Sequence, residues 1–239
     1  MKIGTIYIVF FSTAVSLVGT MIGALFGISI RKPSNEFLGS AIGFAGGLML
    51  SITIIELIPE ATQRITLINA VFFMVIGIII IFLVDNISKN ENNTFKEIAF
   101  LVALGLMLHN FPEGIIMGLG FSAGDNLGLK MSILISIHDI PEGIAVAAPL
   151  MVTNIRRSKI LLYTFLTALP TAVGAWIGIF IGDISDYILG NCLSIAAGIM
   201  LYVVLRKMFI ESKTLCGKKL SSIGILIGII FGIFIIKII

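Results

Sequence analysis

Charge is scarce in this chain: Asp, Glu, Lys and Arg together make up 12% of its 239 residues. A water-soluble domain of this length needs a polar skin that such a composition cannot supply, because its core is limited by the ratio of volume to surface. Histidine occurs twice, cysteine twice and tryptophan once. The two cysteines, Cys192 and Cys216, show no CxxC spacing and flank an apolar run. A disulfide framework is thereby excluded, and the thiols read as buried or idle. No GxxxxGK[ST] pattern occurs, which excludes a phosphate-binding loop of that type. Pro-rich, Ser-rich and low-complexity linkers are also missing.

Apolar residues are abundant, at 58% of the chain with a mean hydropathy of +1.12. A helix needs about 20 mostly apolar residues to cross roughly 30 Å of hydrocarbon. Eight runs meet that need: 5–28, 38–59, 66–85, 98–120, 131–151, 160–181, 187–205 and 221–238. The expected fold is therefore an all-α integral membrane protein, with one polytopic membrane domain over residues 1–239. The first run is too long for a signal-peptide core and lacks an Ala-x-Ala site, so it is expected to be retained.

Loop charges predict the orientation. With the N-terminus outside, the inner side holds Arg31, Lys32, Lys89, Lys96, Arg156, Arg157, Lys159, Arg206, Lys207, Lys213, Lys218 and Lys219. The outer side then keeps Lys2, Arg64, Lys130 and Lys237. The positive-inside rule places both termini outside a cell (inner) membrane. The formal charge of +3 then marks topology anchors and lipid contacts, not nucleic-acid binding.

Glycine ladders at four-residue spacing (Gly19, Gly23, Gly27; Gly174, Gly178, Gly182; Gly224, Gly228, Gly232) predict close helix packing in lipid. The second run reads AGGLML from Ala45 to Leu50, and the seventh reads AAGIML from Ala196 to Leu201. Five spans apart, these segments run in opposite directions. Inverted repeats of that kind place a transporter's substrate site near the midplane.

The chemistry gathers in the fourth and fifth runs. One contains His109-Asn110-Phe111-Pro112-Glu113-Gly114, the other His138-Asp139-Ile140-Pro141-Glu142-Gly143, and these are the only histidines in the chain. In each motif His and Glu are four residues apart and share a helical face, with Asn110 or Asp139 about 100° around. Pro112 and Pro141 lack an N–H, so the carbonyls of Leu108 and Ile137 lose their helical partners. Such carbonyls need a polar cavity, water or a cation in place of lipid. Two imidazoles, two glutamates, an aspartate and an amide form an N/O donor set suited to Zn²⁺, Fe²⁺ or Mn²⁺. A dication between Glu113 and Glu142 offsets the several kcal/mol that each unpaired carboxylate costs in hydrocarbon. A hydrogen-bonded core role accounts for a lone histidine, but poorly for two copies of HxxPEG on antiparallel spans.

At these residues the sequence resembles the ZIP (Zrt- and Irt-like) family of divalent metal transporters, in particular its bacterial zinc-uptake members. The resemblance implies an inverted-repeat (3+2+3) bundle of eight helices with outside termini. It also implies a two-metal site: Glu113 and Glu142 bridge, His109 and His138 serve mainly one ion, and Asn110 and Asp139 serve the other. Met49 matches a family ligand position, although a mid-membrane Met also serves plain packing. Where family members with two full sites carry a glutamate in the sixth span, this chain has Thr171, within Leu166–Gly174. The second site thus loses a charged ligand. The inner loop between the third and fourth spans, Asp85–Glu97, has no histidine and hence no resemblance to a His-rich metal sensor.

Glu56 and Glu60, spaced i, i+4 at the end of the second run, predict an outer station attracting cations, with Glu60 also readable as a solvated helix end. Asp183 and Asp186 read as solvated charges. The function expected is inward transport of a divalent transition metal, zinc first, with iron, manganese, cobalt and cadmium as further cargoes. No prosthetic group is expected. The partners are metal ions and membrane lipids, with a homodimer as the candidate assembly. Alternating access and a binuclear, channel-like relay both fit. An intramembrane metal-dependent hydrolase is the rival, but it typically needs HExxH, whereas Asn110 and Asp139 follow the histidines here. A non-metal proton or cation channel is a second rival. The chain is read as a transporter and not as an enzyme.

Overall fold

Lipid offers the backbone no hydrogen-bond partner, so apolar runs of this length satisfy their own N–H and C=O groups as helices. The computed structural model describes residues 3–30, 34–87, 107, 110–111, 113–123, 125–151, 155–182 and 185–238, and all regular structure among them is helical. In chain order the helices are α1 (Ile3–Ser29), α2 (Asn35–Ile52), α3 (Ile58–Arg64), α4 (Leu67–Ile87), α5 (Glu113–Ala123), α6 (Asp125–Leu150), α7 (Arg157–Gly182), α8 (Asp186–Tyr202) and α9 (Phe209–Ile238). Four stretches are long and apolar enough to cross a membrane: Phe10–Ser29, Asn35–Arg64, Arg157–Ile181 and Asp186–Ile238. Outward faces expose Phe10, Phe26, Phe72, Phe180 and Phe234, as lipid contact favours.

α2 starts at Ser34, whose side chain accepts from the Phe37 N–H at 3.1 Å. It passes into α3 through a π turn, Thr53–Leu57. Pro59 supplies a cause, since it has no N–H to offer the preceding turn and its ring crowds the Ile55 carbonyl. A second π turn, Val203–Met208, joins α8 to α9 without a proline.

The segment 206–220, expected as an inner loop, is helical on both sides of one residue. Within α9, Gly217 has φ 76° and ψ 165°. Only glycine adopts that backbone cheaply. The chain reverses there: Phe209 and Met208 approach Gly46 and Cys216 approaches Gly39, whereas Ile225 and Ile229 approach Gly47. No proline or glycine lies between Met208 and Cys216, and Arg206 and Lys207 are exposed, so nothing ends the helix earlier.

Two groups of helices result. In one, α6 runs parallel to α1, with Gly19 and Gly23 against the carbonyls of Ser136 and Ile140, and Gly143 against that of Thr20. α5 runs parallel to α7 through Gly114, Gly118, Gly174 and Gly178, each against a backbone carbonyl of the other helix. α1 packs on α7 to join the pairs. In the second group, residues 218–238 run parallel to α2, and α4 runs parallel to α8. A shared core of Leu48, Met49, Ile116, Met117, Leu134 and Met200 lies between the groups.

Candidate metal centre

The acids of the two motifs meet between α5, which carries Glu113, and α6, which carries Asp139 and Glu142 near its middle. Glu113 is 0%, Asp139 2% and Glu142 6% exposed. Each offers a carboxylate oxygen within 4.8 Å of the others, the one such group of three acids, cysteines or histidines among the described residues. The glycine after each glutamate explains the approach. A Cβ at Gly114 would collide with the Thr171 carbonyl, and one at Gly143 with the Thr20 carbonyl. α7 and α1 therefore press directly on the motifs.

Three carboxylates this close cannot all be ionised in a dry interior unless a cation compensates them. Asn110, 3% exposed, donates from Nδ2 to the Thr167 carbonyl at 2.8 Å. Its Oδ1 is buried and has no hydrogen-bond partner among the described residues. Buried polar atoms are seldom left so, and an amide oxygen of this kind is a ready ligand for a hard or borderline cation. Ser16 Oγ donates to Asp139 Oδ2 at 2.5 Å. Chemically, the arrangement can take up a dication through oxygens drawn from two helices.

Of the other residues expected at the site, His109 and Pro112 lie outside the described residues. His138 belongs to α6, one residue before Asp139, and its side chain is likewise outside what is described. Thr171 is buried on α7, its carbonyl against Gly114. Met49 is fully buried in the apolar core beside α5 and α6. Glu56 sits in the π turn and is not part of the three-carboxylate group; Lys130 Nζ lies 3.6 Å from its Oε1. Glu60 accepts from Arg64 Nη2 at 2.7 Å, and Arg64 also pairs with Asp186. Asp186, expected as a solvated charge, is 81% exposed in that pair, while Asp183 lies outside the described residues. Cys192 and Cys216 are free, as expected.

Sequence reasoning missed Ser16 and Thr167. A signal was present: Ser12, Ser16 and Thr20 line one face of an otherwise apolar run, and all three are buried. Small hydroxyls at four-residue spacing inside a span point to a partner helix.

Residues 88–239 match the family model described as ZIP zinc transporter. The chain is 28% identical over 227 residues to a protein named zinc transporter ZupT from Enterobacter sp. (strain 638), spanning 87% of this chain and 88% of that protein. Zinc transporter ZupT from Escherichia coli O7:K1 (strain IAI39 / ExPEC) matches at the same identity and coverage. The like-named protein of Salmonella newport (strain SL254) is 28% identical over 228 residues.

Proposed function

The chain belongs to the ZIP zinc transporter family, and from that premise we propose that it carries divalent transition-metal ions, zinc first, into the cytoplasm through the centre between α5 and α6. The observation that carries this reading is the convergence of Glu113, Asp139 and Glu142 within 4.8 Å in a buried position. In it, Glu113 and Glu142 bridge two ions, His109 and His138 serve one, and Asn110 and Asp139 the other. Thr171 leaves the second ion one carboxylate short. The mixed N/O set binds iron, manganese, cobalt and cadmium too, and holds none so tightly that it cannot leave. A membrane potential supplies about 2.3 kcal/mol per charge per 100 mV, and a metal gradient or coupled proton the rest.

The reading includes eight spans, outside termini and an inverted 3+2+3 repeat. Support for the repeat lies in paired contacts. Displacing residue numbers by 151 (47 to 198, 225 to 74) turns the contact of Gly47 with the Ile225 carbonyl into that of Gly198 with the Met74 carbonyl. The same displacement turns Gly228 on Phe44 into Gly77 on Ile195. With a displacement of 29 for the central pair (113 to 142), Gly143 on Thr20 answers to Gly114 on Thr171, and Gly23 on Ile140 to Gly174 on Phe111. The π turns at Thr53–Leu57 and Val203–Met208 fall in corresponding places, just after the AGGLML and AAGIML segments. Opposed halves meeting at a buried site are the plan of an alternating-access carrier.

Metal uptake by proteoliposomes is the test. Wild-type protein is expected to take up zinc, and Glu113→Ala to lose at least nine-tenths of that flux, roughly the 10–100-fold scale of a lost metal ligand contact. Undiminished flux in Glu113→Ala would sink the assignment. Peptide cleavage without flux would favour the hydrolase instead.

A further inference from the structure

α1 carries none of the ligands assigned above, yet it reaches the centre. Ser16 is 1% exposed, and its hydroxyl donates to Asp139 Oδ2 at 2.5 Å, within the range of charge-assisted O–H···O⁻ bonds. This bond holds the carboxylate in one rotamer and engages one of its two oxygens. Symmetric two-oxygen chelation by Asp139 competes with it.

α7 treats Asn110 in a corresponding way. The Thr167 carbonyl accepts from Nδ2 at 2.8 Å. Reversing the amide would set oxygen against oxygen, so the bond fixes the orientation. The oxygen Oδ1 is turned away from that carbonyl, and it is the buried atom without a hydrogen-bond partner among the described residues. Ser16 and Thr167 are related by the displacement that relates Gly23 to Gly174 (16 to 167), and Asn110 and Asp139 by the one that relates Glu113 to Glu142. Each outer repeat thus contributes one group that orients the residue just after a motif histidine. The chemistry is complementary: a hydroxyl donates to the acid, and a carbonyl accepts from the amide.

We propose that Ser16 and the Thr167 carbonyl are positioning groups that set the reach and denticity of Asp139 and Asn110, and thereby the ion preference of the metal position lacking a carboxylate at residue 171. This rests on the transporter reading. Zinc favours four compact ligands, whereas larger cations such as Cd²⁺ and Mn²⁺ accept more oxygens and two-oxygen carboxylates. Keeping Asp139 on one oxygen favours zinc.

The test compares wild type, Ser16→Ala, Ser16→Thr, Asp139→Asn and the double variant Ser16→Ala/Asp139→Asn. Zinc and cadmium uptake into proteoliposomes is measured beside titration of the purified proteins with each metal alone. Ser16→Ala is expected to raise the zinc KM about tenfold, the scale for losing a partner of a metal ligand. Vmax should hold within a factor of two, and the cadmium-to-zinc preference should rise. Ser16→Thr, which keeps the hydroxyl, restores zinc affinity, and Ser16→Ala has a much smaller effect once Asp139 is Asn, whose neutral amide oxygen accepts a weaker bond. An unchanged KM and metal preference in Ser16→Ala overturns the proposal, as does an equal Ser16→Ala effect with and without Asp139. If wild-type vesicles take up no metal the transporter reading fails, while the titrations still report whether Ser16 tunes binding.

Discussion

Lys130 Nζ on α6 lies 3.6 Å from Glu56 Oε1 in the π turn after α2. The pair joins the two helix groups on the side proposed to face outward. Arg64 makes a second link there, donating from Nη2 to the Ala123 carbonyl at 3.3 Å. Other described side-chain contacts stay within one group, among them Asp85 with Tyr202 and Lys207, Ser16 with Asp139, and Ser212 with Gly39 and Ser221. Glu56 meets an ammonium where an incoming dication would otherwise find a carboxylate.

On the proposed transport reading, Lys130 competes with arriving metal for Glu56. Lys130→Gln is expected to lower the zinc KM by about two- to fivefold at low ionic strength, and Glu56→Gln to raise it by a similar factor. Both effects should shrink in 0.5 M salt, where the Debye length falls to a few Å. Uptake kinetics at two salt concentrations check this. A higher KM in Lys130→Gln with a lower one in Glu56→Gln, or indifference to salt in both variants, would remove Glu56 from the approach path.

Thr171 offers a gain-of-charge experiment. It is 2% exposed with its backbone carbonyl against Gly114, so Thr171→Glu adds a buried acid on the helix face that packs on α5. Without metal, the variant should melt several degrees below wild type, since an uncompensated buried charge costs a few kcal/mol. With saturating zinc the order should narrow or reverse, because binding to the folded state adds stability by mass action. Thermal melts in detergent, with and without metal, decide it; an equal zinc-induced shift in both proteins argues against a ligand position at residue 171.

Gly217 supplies a control remote from the metal centre. Its φ of 76° lies in territory that side chains avoid, and open space surrounds it, so Gly217→Ala is penalised by the backbone alone. The expected loss is about 1–3 kcal/mol of stability. Metal affinity should stay at the wild-type value. Paired melting and zinc-titration measurements check both halves of that expectation.

The all-helical, apolar character and the two motifs were legible from the chain itself, because the relevant physics is local. An apolar run must be helical in lipid whatever surrounds it, and HxxPEG sets its ligands on one helical face through residues four apart. The glycine ladders announced close packing, and the paired AGGLML and AAGIML segments hinted at the repeat proposed above. Partners were not legible. Gly114 needs space for a carbonyl of α7 and Gly143 for one of α1; a glycine states that something approaches, not what.

What remained was decided only when the helices assembled. Ser16 and Asp139 are separated by 123 residues of sequence, and no periodicity in either segment encodes their bond. The same holds for Lys130 and Glu56, and for the helix that replaces the expected 206–220 loop up to Gly217. Burial, hydropathy and ligand type are properties of single residues and short windows, so sequence determined that a buried acidic centre exists. Which hydroxyl orients it and which ammonium stands near it depend on the packing of distant segments, and the tertiary structure alone fixed those.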